Sequence, residues 1–127
     1  MDMIEKRILI AEDDESSEML ISIIVESYAS EVLVARTGHE AVNICRHQPD
    51  IDLVLMDIQM PELDGYEATK QIRQFNKDLI IIAQTAFALS GERDKALGVG
   101  CNDYISKPIK KELLKEMVYK HLKNKLK

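Results

Sequence analysis

Five short apolar runs, separated by segments with helical spacing, constrain the fold of this 127-residue chain more than any other feature. The runs lie at residues 8–11, 32–35, 53–56, 79–83 and 104–105. Their apolar residues are continuous rather than alternating, which is typical of strands covered on both faces, as in a parallel sheet. Five consecutive strand–helix units therefore predict an α/β protein with a three-layer sandwich and right-handed crossovers.

The helices are predicted from apolar residues at helical spacing between the runs. They are expected at residues 15–28, at residues 38–47, from Asp64-Gly65 onward, and at residues 110–126. Their buried faces are predicted to be, in chain order, Met19, Leu20, Ile23, Ile24 and Ser27; Ala41, Val42 and Cys45; Ala68, Ile72 and Phe75; and Leu113, Leu114, Met117, Val118, His121 and Leu122.

The length suits one domain with its own core and is too short for two. We expect this domain at residues 7–127, with residues 1–6 as a loose terminus or a remnant of cloning. No apolar run approaches the roughly 20 residues that cross a bilayer, and no signal-peptide core follows the first basic residues. Cys45 and Cys101 make a poor disulfide framework, so a reducing cytoplasm is expected.

The net charge of −5 is unevenly distributed. Residues 107–127 hold eight lysines and two glutamates, a charge of +6, which leaves −11 on the remainder. An acidic body argues against direct nucleic-acid binding, which depends on clustered Lys and Arg. The basic segment is interpreted as the solvated face of the last helix.

Polar side chains follow four of the five predicted strands. Residues 12–15 are four carboxylates after the first strand, Asp57 follows the third, Thr85 the fourth and Lys107 the fifth. Since ligands bind at the carboxyl ends of parallel strands, these side chains are expected to meet at one rim of the sheet.

Carboxylates from two strands repel each other unless a cation lies between them. Mg²⁺ accepts one or two carboxylates together with waters and a phosphate oxygen, and Asp13 and Asp57 fit that requirement. Thr85 and Lys107 would contact the remaining oxygens of a phosphoryl group. The set predicts phosphoryl transfer to a carboxylate, which forms an aspartyl phosphate.

The chain resembles the receiver domain of response regulators in two-component signalling, and the match covers nearly all of it. The motifs are Ile-Leu-Ile-Ala-Glu-Asp-Asp at 8–14, Leu-Met-Asp-Ile-Gln-Met-Pro-Glu-Leu-Asp-Gly at 55–65, Gln-Thr-Ala at 84–86 and Asp-Tyr-Ile-Ser-Lys-Pro at 103–108. The resemblance implies a flavodoxin-like (βα)5 fold with strand order 2-1-3-4-5.

The resemblance also implies a role for each residue of the acidic rim. Asp57 would be the phosphoacceptor. Asp13, Asp57 and the backbone carbonyl of Gln59 would bind Mg²⁺ or Mn²⁺, with Glu12 acting through a water. The register of the motif disfavours Asp14 as a ligand. In the ordinary interpretation of an acidic run before a helix, residues 14–17 could simply cap the first helix.

A second group of residues would bind the phosphoryl group and carry the switch. Thr85 and Lys107 would contact its oxygens, the small Ala86 would leave access, and the peptide bond before Pro108 would be cis. Thr85 would then move, Tyr104 would fill the space, and the fourth helix, fifth strand and fifth helix would present a changed face to a partner.

Two positions are predicted to set the lifetime of the phosphoryl group. Gln59 and Phe87 would flank the line along which water attacks, and the apolar Phe87 cannot orient a water. A longer lifetime is therefore expected than in domains with a carboxylate at that position.

The phosphodonor implied is the phosphohistidine of a histidine kinase or a histidine phosphotransfer domain, and the domain would catalyse only its own phosphorylation and dephosphorylation. Residues 36–41, 56–61, 85–88 and 106–109 most resemble receivers of hybrid sensor histidine kinases. A stand-alone regulator and the receiver of a DNA-binding regulator remain alternatives. No membrane contact is expected of this domain, and the changed face could support a phosphorylation-dependent dimer.

Two other classes of function fit the sequence less well. A Mg²⁺-dependent phosphohydrolase with an aspartyl nucleophile usually has a second carboxylate two residues later, where this chain has Gln59. A flavin or nucleotide binder needs a phosphate-binding loop after the first strand, where residues 12–15 would repel phosphate. His39, His47 and His121 carry no phosphotransfer or metal-binding motif and are interpreted as surface or packing residues.

Overall fold

The computed structural model describes residues 6–86 and 90–123. The strands are β1 (Lys6–Ala11), β2 (Ala29–Ala35), β3 (Leu53–Asp57), β4 (Ile80–Thr85) and β5 (Asp103–Ser106). The helices are α1 (Glu15–Val25), α2 (Gly38–His47), α3 (Gly65–Arg73), α4 (Glu92–Val99) and α5 (Lys111–Lys123), with a 3₁₀ turn at Glu26–Tyr28 after α1. Each predicted apolar run falls within or at the edge of a strand.

The five strands form one parallel sheet in the order β2-β1-β3-β4-β5, which confirms the predicted topology. The reversal of direction lies at β1, with β2 on one side of it and β3 on the other. This is the topological switch point at which α/β sheets bind ligands. Lys6, expected in the loose terminus, pairs with Ala29 at the start of β1.

Two apolar cores lie on opposite faces of the sheet and give the predicted three layers. Residues of α2, α3 and α4 pack on one face with Leu9, Val54 and Ile81. Residues of α1 and α5 pack on the other face with Ile8 and Leu55. Within the described residues, no helix is both long and apolar enough to cross a membrane.

The predicted buried face of α1 is confirmed only at Ile24. The helix buries Ile21, Ile24 and Val25, whereas Met19, Leu20 and Ile23 are 56%, 50% and 61% exposed. Six of the seven residues from 19 to 25 are apolar, so helical spacing alone does not select one stripe. The α-helix also ends at Val25, and Ser27 of the predicted stripe lies in the 3₁₀ turn.

Two other expectations about helices are wrong, and one helix was not located from the sequence. Phe75 lies beyond the end of α3 and is 39% exposed, with the Arg46 guanidinium carbon 4.9 Å from its ring centre. Leu113 of α5 is 46% exposed, because this helix buries the stripe of Leu114, Val118 and Leu122. Helix α4 was not located from apolar residues at helical spacing, because this helix buries only Ala96.

Candidate functional site

The predicted side chains meet at the carboxyl edge of the sheet because the parallel register aligns the strand ends. Ala11 of β1 pairs with Met56, and Asp57, the last residue of β3, pairs with Gln84. Thr85, the last residue of β4, pairs with Ser106. Glu12, which follows β1, therefore lies level with Asp57, and Lys107, which follows β5, lies two residues beyond that level.

Three carboxylates form a cluster at this edge. Glu12, Asp13 and Asp57 each offer an oxygen within 4.8 Å of the others. Glu12 and Asp57 are 1% and 3% exposed, and Asp13 is exposed. Carboxylate oxygens at this spacing are the donor set that hard divalent cations such as Mg²⁺ and Mn²⁺ take in proteins, so the residues fit such an ion.

The protonation of Glu12 shows how strongly the carboxylates of this cluster interact. Burial of Glu12, together with its neighbour Asp57, raises the pKa of Glu12 to about 7. The backbone N–H of Asp14 and the Lys107 amine act in the opposite direction, because both favour the charged carboxylate. A carboxyl group with this pKa exchanges its proton near neutral pH. A cation beside it would replace that proton.

Lys107 brings a positive charge to the two buried carboxylates. Its Nζ lies 3.1 Å from Oε1 of Glu12 and 3.3 Å from Oδ2 of Asp57. Burial works against the charged amine, but Asp57 and Glu12 together hold the pKa of Lys107 above its usual value. The backbone N–H of Lys107 donates to the Thr85 carbonyl at 2.7 Å, and the bond to Pro108 is cis, as expected.

The loop after β3 holds Asp57 from the other side. The backbone N–H of Gln59 donates to Oδ1 of Asp57 at 3.1 Å, and that of Gly65 donates to the carbonyl of Ile58 at 2.9 Å. A Cβ on Gly65 would lie 2.4 Å from the Asp57 carbonyl oxygen, so only glycine allows this approach. Asp64 caps α3 by accepting from the backbone N–H of Glu67.

The predicted phosphoryl-binding and switch residues lie around this cluster. Thr85 is 1% exposed, and Ala86 after it is exposed. Tyr104 of β5 pairs with Ala83 and packs partly buried against the core that includes α2, α3 and α4. Gln59 is exposed beside Asp57. Phe87 lies outside the described residues.

The acidic run after β1 divides into two functions. Glu12 and Asp13 face the cluster, whereas the side chain of Asp14 accepts a hydrogen bond from the backbone N–H of Ser17 at 2.8 Å and caps α1. The cap and the hydrogen bonds from Ser17 hold the pKa of the exposed Asp14 below its usual value. For Asp14, therefore, the ordinary interpretation of an acidic residue before a helix is the one that the structure shows.

Two buried polar residues were not predicted from the sequence, and only the first of them, Gln84, lies next to Asp57. Gln84 of β4 is 1% exposed, and Asp103 of β5 is 9% exposed, with its Oδ2 2.9 Å from Nε2 of His121. For Gln84 the available signal was its position: a carboxamide directly after five apolar residues, inside a strand predicted to be covered on both faces.

The family model described as the response regulator receiver domain matches residues 8–119. The signal transduction histidine-protein kinase BarA of Escherichia coli (strain K12) is 35% identical over 116 residues, which are 90% of this chain and 12% of BarA. The polar-differentiation response regulator DivK of Brucella ovis is 40% identical over 107 residues, which are 82% of this chain and 85% of DivK. The chain thus spans about an eighth of the kinase relative.

Two solved structures are similar over nearly the whole chain. The receiver domain of the sensor histidine kinase PA1611 of Pseudomonas aeruginosa, with a magnesium ion coordinated in its active site cleft, gives a TM-score of 0.83 at 34% identity, and covers 94% of this chain and 98% of that one. A co-crystal structure of the Saccharomyces cerevisiae histidine phosphotransfer protein Ypd1 with the receiver domain of the response regulator Ssk1 gives 0.90 at 31% identity, covering 98% and 94%.

Proposed function

The chain belongs to the response regulator receiver domain family, and we propose that it is the phosphoacceptor of a two-component phosphorelay in which Asp57 receives the phosphoryl group of a phosphohistidine. The observation that carries this proposal is the position of Asp57. It is nearly buried, lies within a carboxylate cluster, and has its two oxygens contacted by the Lys107 amine and the Gln59 backbone N–H. A carboxylate held in this way is oriented for in-line attack on phosphorus.

The chemical step is a substitution at phosphorus. A bond forms between an oxygen of Asp57 and the phosphorus, while the bond between the phosphorus and the imidazole nitrogen of the donor breaks and leaves its electron pair on that nitrogen. Asp13, Asp57 and the Gln59 carbonyl would hold Mg²⁺ or Mn²⁺ directly, with Glu12 acting through a water. The bound ion supplies positive charge for the phosphoryl oxygens.

Lys107 and Thr85 would stabilise the product. The Lys107 amine lies close enough to Asp57 to pair with a phosphoryl oxygen, and the charge on that amine is favoured by the raised pKa. Thr85 at the end of β4 would donate its hydroxyl to a second oxygen, and the small side chain of Ala86 would leave access for the donor. Hydrolysis would return Asp57 to its starting state, so the domain would catalyse only its own phosphorylation and dephosphorylation.

The switch would pass from Thr85 to the face formed by α4, β5 and α5. When Thr85 moves toward the phosphoryl group, Tyr104, which packs partly buried on the α4 side of the sheet, would move inward. This is a population shift between two packings, set by one new covalent bond. The changed face could bind a partner or a second copy of the chain.

An apolar surface beside the site suits a phosphodonor protein. Met19, Leu20 and Ile23 of α1 are exposed, and Leu20 lines a cavity of about 260 Å³. The cavity is lined by Ser17, Leu20, Ile21, Lys107, Pro108 and Ile109. Since Lys107 also contacts Asp57, a protein docked on this surface would bring its phosphohistidine to the acceptor. We place this exchange in the cytoplasm, where ATP-dependent kinases form phosphohistidine.

Two molecular contexts are supported by different relatives. Similarity to BarA favours the receiver of a hybrid sensor histidine kinase. Similarity to DivK, of which the chain covers 85%, favours a stand-alone regulator. We propose the hybrid kinase as the first context and the stand-alone regulator as the second. The length of the natural open reading frame distinguishes them.

The proposal is tested by incubating the purified chain with acetyl phosphate and Mg²⁺ and measuring its intact mass. We expect a gain of one phosphoryl group that needs the metal and disappears in Asp57→Asn. Asp52→Asn is the matched control, because Asp52 lies just before β3, at the opposite edge of the sheet. A gain that persists in Asp57→Asn, or no gain in the wild-type chain, contradicts the proposal.

A further inference from the structure

Gln84 carries a buried side-chain amide with no partner. The residue is 1% exposed, and neither Oε1 nor Nε2 has a hydrogen-bond partner among the residues that the structure describes. Buried polar groups in native proteins are nearly always hydrogen-bonded, because removing them from water without compensation costs free energy. An apolar side chain at this strand position next to Thr85 would avoid that free-energy cost. The presence of an amide here therefore needs a functional explanation.

The sheet register places this amide at the phosphoacceptor site. Gln84 pairs with Asp57 on one side and with Ile105 on the other. Side chains two residues apart in a strand share a face, and Ile82 and Ile105 both belong to the core formed with α1 and α5. The side chain of Gln84 therefore lies on that same face, between the strand of Asp57 and the strand of Ile105.

The side chain of Lys107 must cross the strand that holds Gln84. Lys107 lies two residues after Ile105, next to β5, yet its Nζ is 3.3 Å from Oδ2 of Asp57 on β3. Strand β4 lies between those two strands. The side chain of Lys107 thus crosses the end of β4 on the sheet face that also holds the side chain of Gln84.

Phosphorylation of Asp57 changes what the Lys107 amine can contact. Phosphorylation converts the Asp57 carboxylate into an acyl phosphate, which removes the negative charge of the carboxylate and adds phosphoryl oxygens. The amine then exchanges its ion pair with Asp57 for one with a phosphoryl oxygen, and an ammonium group has three donors to distribute. A neutral carboxamide oxygen next to this path is a suitable acceptor for one of them.

We propose that Gln84 is a positioning residue of the acceptor site, whose side-chain oxygen accepts a hydrogen bond from the Lys107 amine once Asp57 carries a phosphoryl group. This inference rests on the proposed function. The unpartnered amide raises the free energy of the unphosphorylated state, and the new hydrogen bond lowers that of the phosphorylated state. These are two descriptions of one gained hydrogen bond, which favours the phosphorylated state and shifts the equilibrium of the switch toward it.

The test compares the affinity of the wild-type chain and Gln84→Met for beryllofluoride, a phosphoryl analogue, in the presence of Mg²⁺. Methionine keeps the length and volume of the side chain without its polar atoms. We expect the Kd measured by calorimetry to rise roughly fivefold in Gln84→Met, the factor that one hydrogen bond of typical net strength represents. The Tm without ligand should be unchanged or higher.

Ile82→Val is the control for a general loss of packing. Ile82 lies on the same strand and face, two residues earlier, and is fully buried. We expect Ile82→Val to lower the Tm with and without beryllofluoride by similar amounts and to leave its Kd unchanged. An unchanged Kd in Gln84→Met, with a lower Tm in both states, would show a purely structural amide and overturn the inference.

A second measurement needs no variant. In a chain labelled with ¹³C in glutamine, the side-chain carbonyl of Gln84 should shift downfield when beryllofluoride and Mg²⁺ are added, because its oxygen gains a donor. Gln71 and Gln74, at the end of α3, serve as internal references and should not shift. A Gln84 signal that does not move overturns the inference, whereas a wild-type chain that fails to bind beryllofluoride overturns the proposed function itself.

Discussion

The amine of Lys107 lies 3.3 Å from a carboxylate oxygen of Asp57, although fifty residues of chain separate them. The contact spans three strands, since Lys107 follows β5 and Asp57 ends β3 with β4 between them. The same amine also donates to Oε1 of Glu12, at 3.1 Å. One amine therefore contacts two buried carboxyl groups, one at the end of β3 and one directly after β1.

Replacement of Lys107 is expected to slow phosphorylation of Asp57. In Lys107→Met the amine that contacts the attacking carboxylate is lost, and removal of one preorganised donor from such a site lowers a rate by roughly a hundredfold. The rate of mass gain with acetyl phosphate and Mg²⁺ measures this effect. Lys110→Met, an exposed lysine three residues later, should react at the wild-type rate. Equal rates for Lys107→Met and wild type would exclude a role for the amine.

Stability without metal is expected to fall as the pH rises through neutrality. Glu12 has a pKa of about 7 in the folded chain, above its ordinary value of 4.5. A raised pKa means that the folded state binds the proton more tightly than the unfolded state. The stabilisation is therefore complete below pH 4.5 and is lost as the pH rises to about 7, with a size of about 3 kcal/mol at most.

Thermal unfolding in buffers from pH 5 to pH 8 measures this dependence. We expect the Tm of wild type to fall by roughly 10 °C more than that of Glu12→Gln, in which the group cannot ionise. With 10 mM Mg²⁺ the wild-type slope should become flatter, because a cation replaces the proton of Glu12. Parallel slopes for the two proteins without metal would contradict the assignment of this titration to Glu12.

The strands could be predicted from the sequence because their signal is local. Residues 53–56 and 79–83 are continuous apolar runs, and both fall in or beside strands buried on both faces. The motifs then identified the family, and the family gave the strand order. Which side chains lie together at the strand ends depends on the register of strand pairing, which places Asp57 beside Gln84. The apolar runs by themselves do not determine that register.

The buried face of α1 could not be predicted, for a physical reason. Met19, Leu20 and Ile23 are as apolar as Ile21, Ile24 and Val25, and only packing against the sheet and α5 selects the second set. Helical spacing identifies a buried stripe when polar residues cover the remaining faces. Where apolar residues surround the helix, the exposed ones identify a surface that another protein can cover.

The lifetime of the phosphoryl group should respond to residue 87. An apolar side chain there cannot orient the attacking water, so Phe87→Glu is expected to shorten the half-life of phosphorylated Asp57 roughly tenfold through general-base assistance. Decay of a radiolabelled phosphoryl group measures the half-life. Phe75→Glu, which changes an exposed phenylalanine after α3 in the same way, should leave the decay unchanged. The lifetime interpretation fails if Phe87→Glu decays at the wild-type rate.

The basic flank of α5 is expected to help select the phosphodonor. Residues 111, 115 and 119 lie one turn apart on α5, and the ring of Tyr119 lies 6.3 Å from that of Tyr28, just after α1. Lys111 and Lys115 therefore lie on the side of α5 that faces α1, the helix that exposes Met19, Leu20 and Ile23. A donor that covers this apolar surface would bring its own rim against the two lysines.

Charge reversal tests this selection with donors rather than with acetyl phosphate. The donor is the histidine-phosphorylated domain that phosphorylates the wild-type chain fastest. In Lys111→Glu/Lys115→Glu we expect transfer from this donor to slow roughly tenfold at low salt, because the new glutamates would repel a carboxylate-rich rim on the donor. Phosphorylation by acetyl phosphate should be unchanged, since a small donor needs no docking surface. The control Lys70→Glu/Lys77→Glu makes the same charge change on exposed lysines at α3 and just after it. Equal transfer rates in both double variants would show that the lysines of α5 form an ordinary solvated face and do not select the donor.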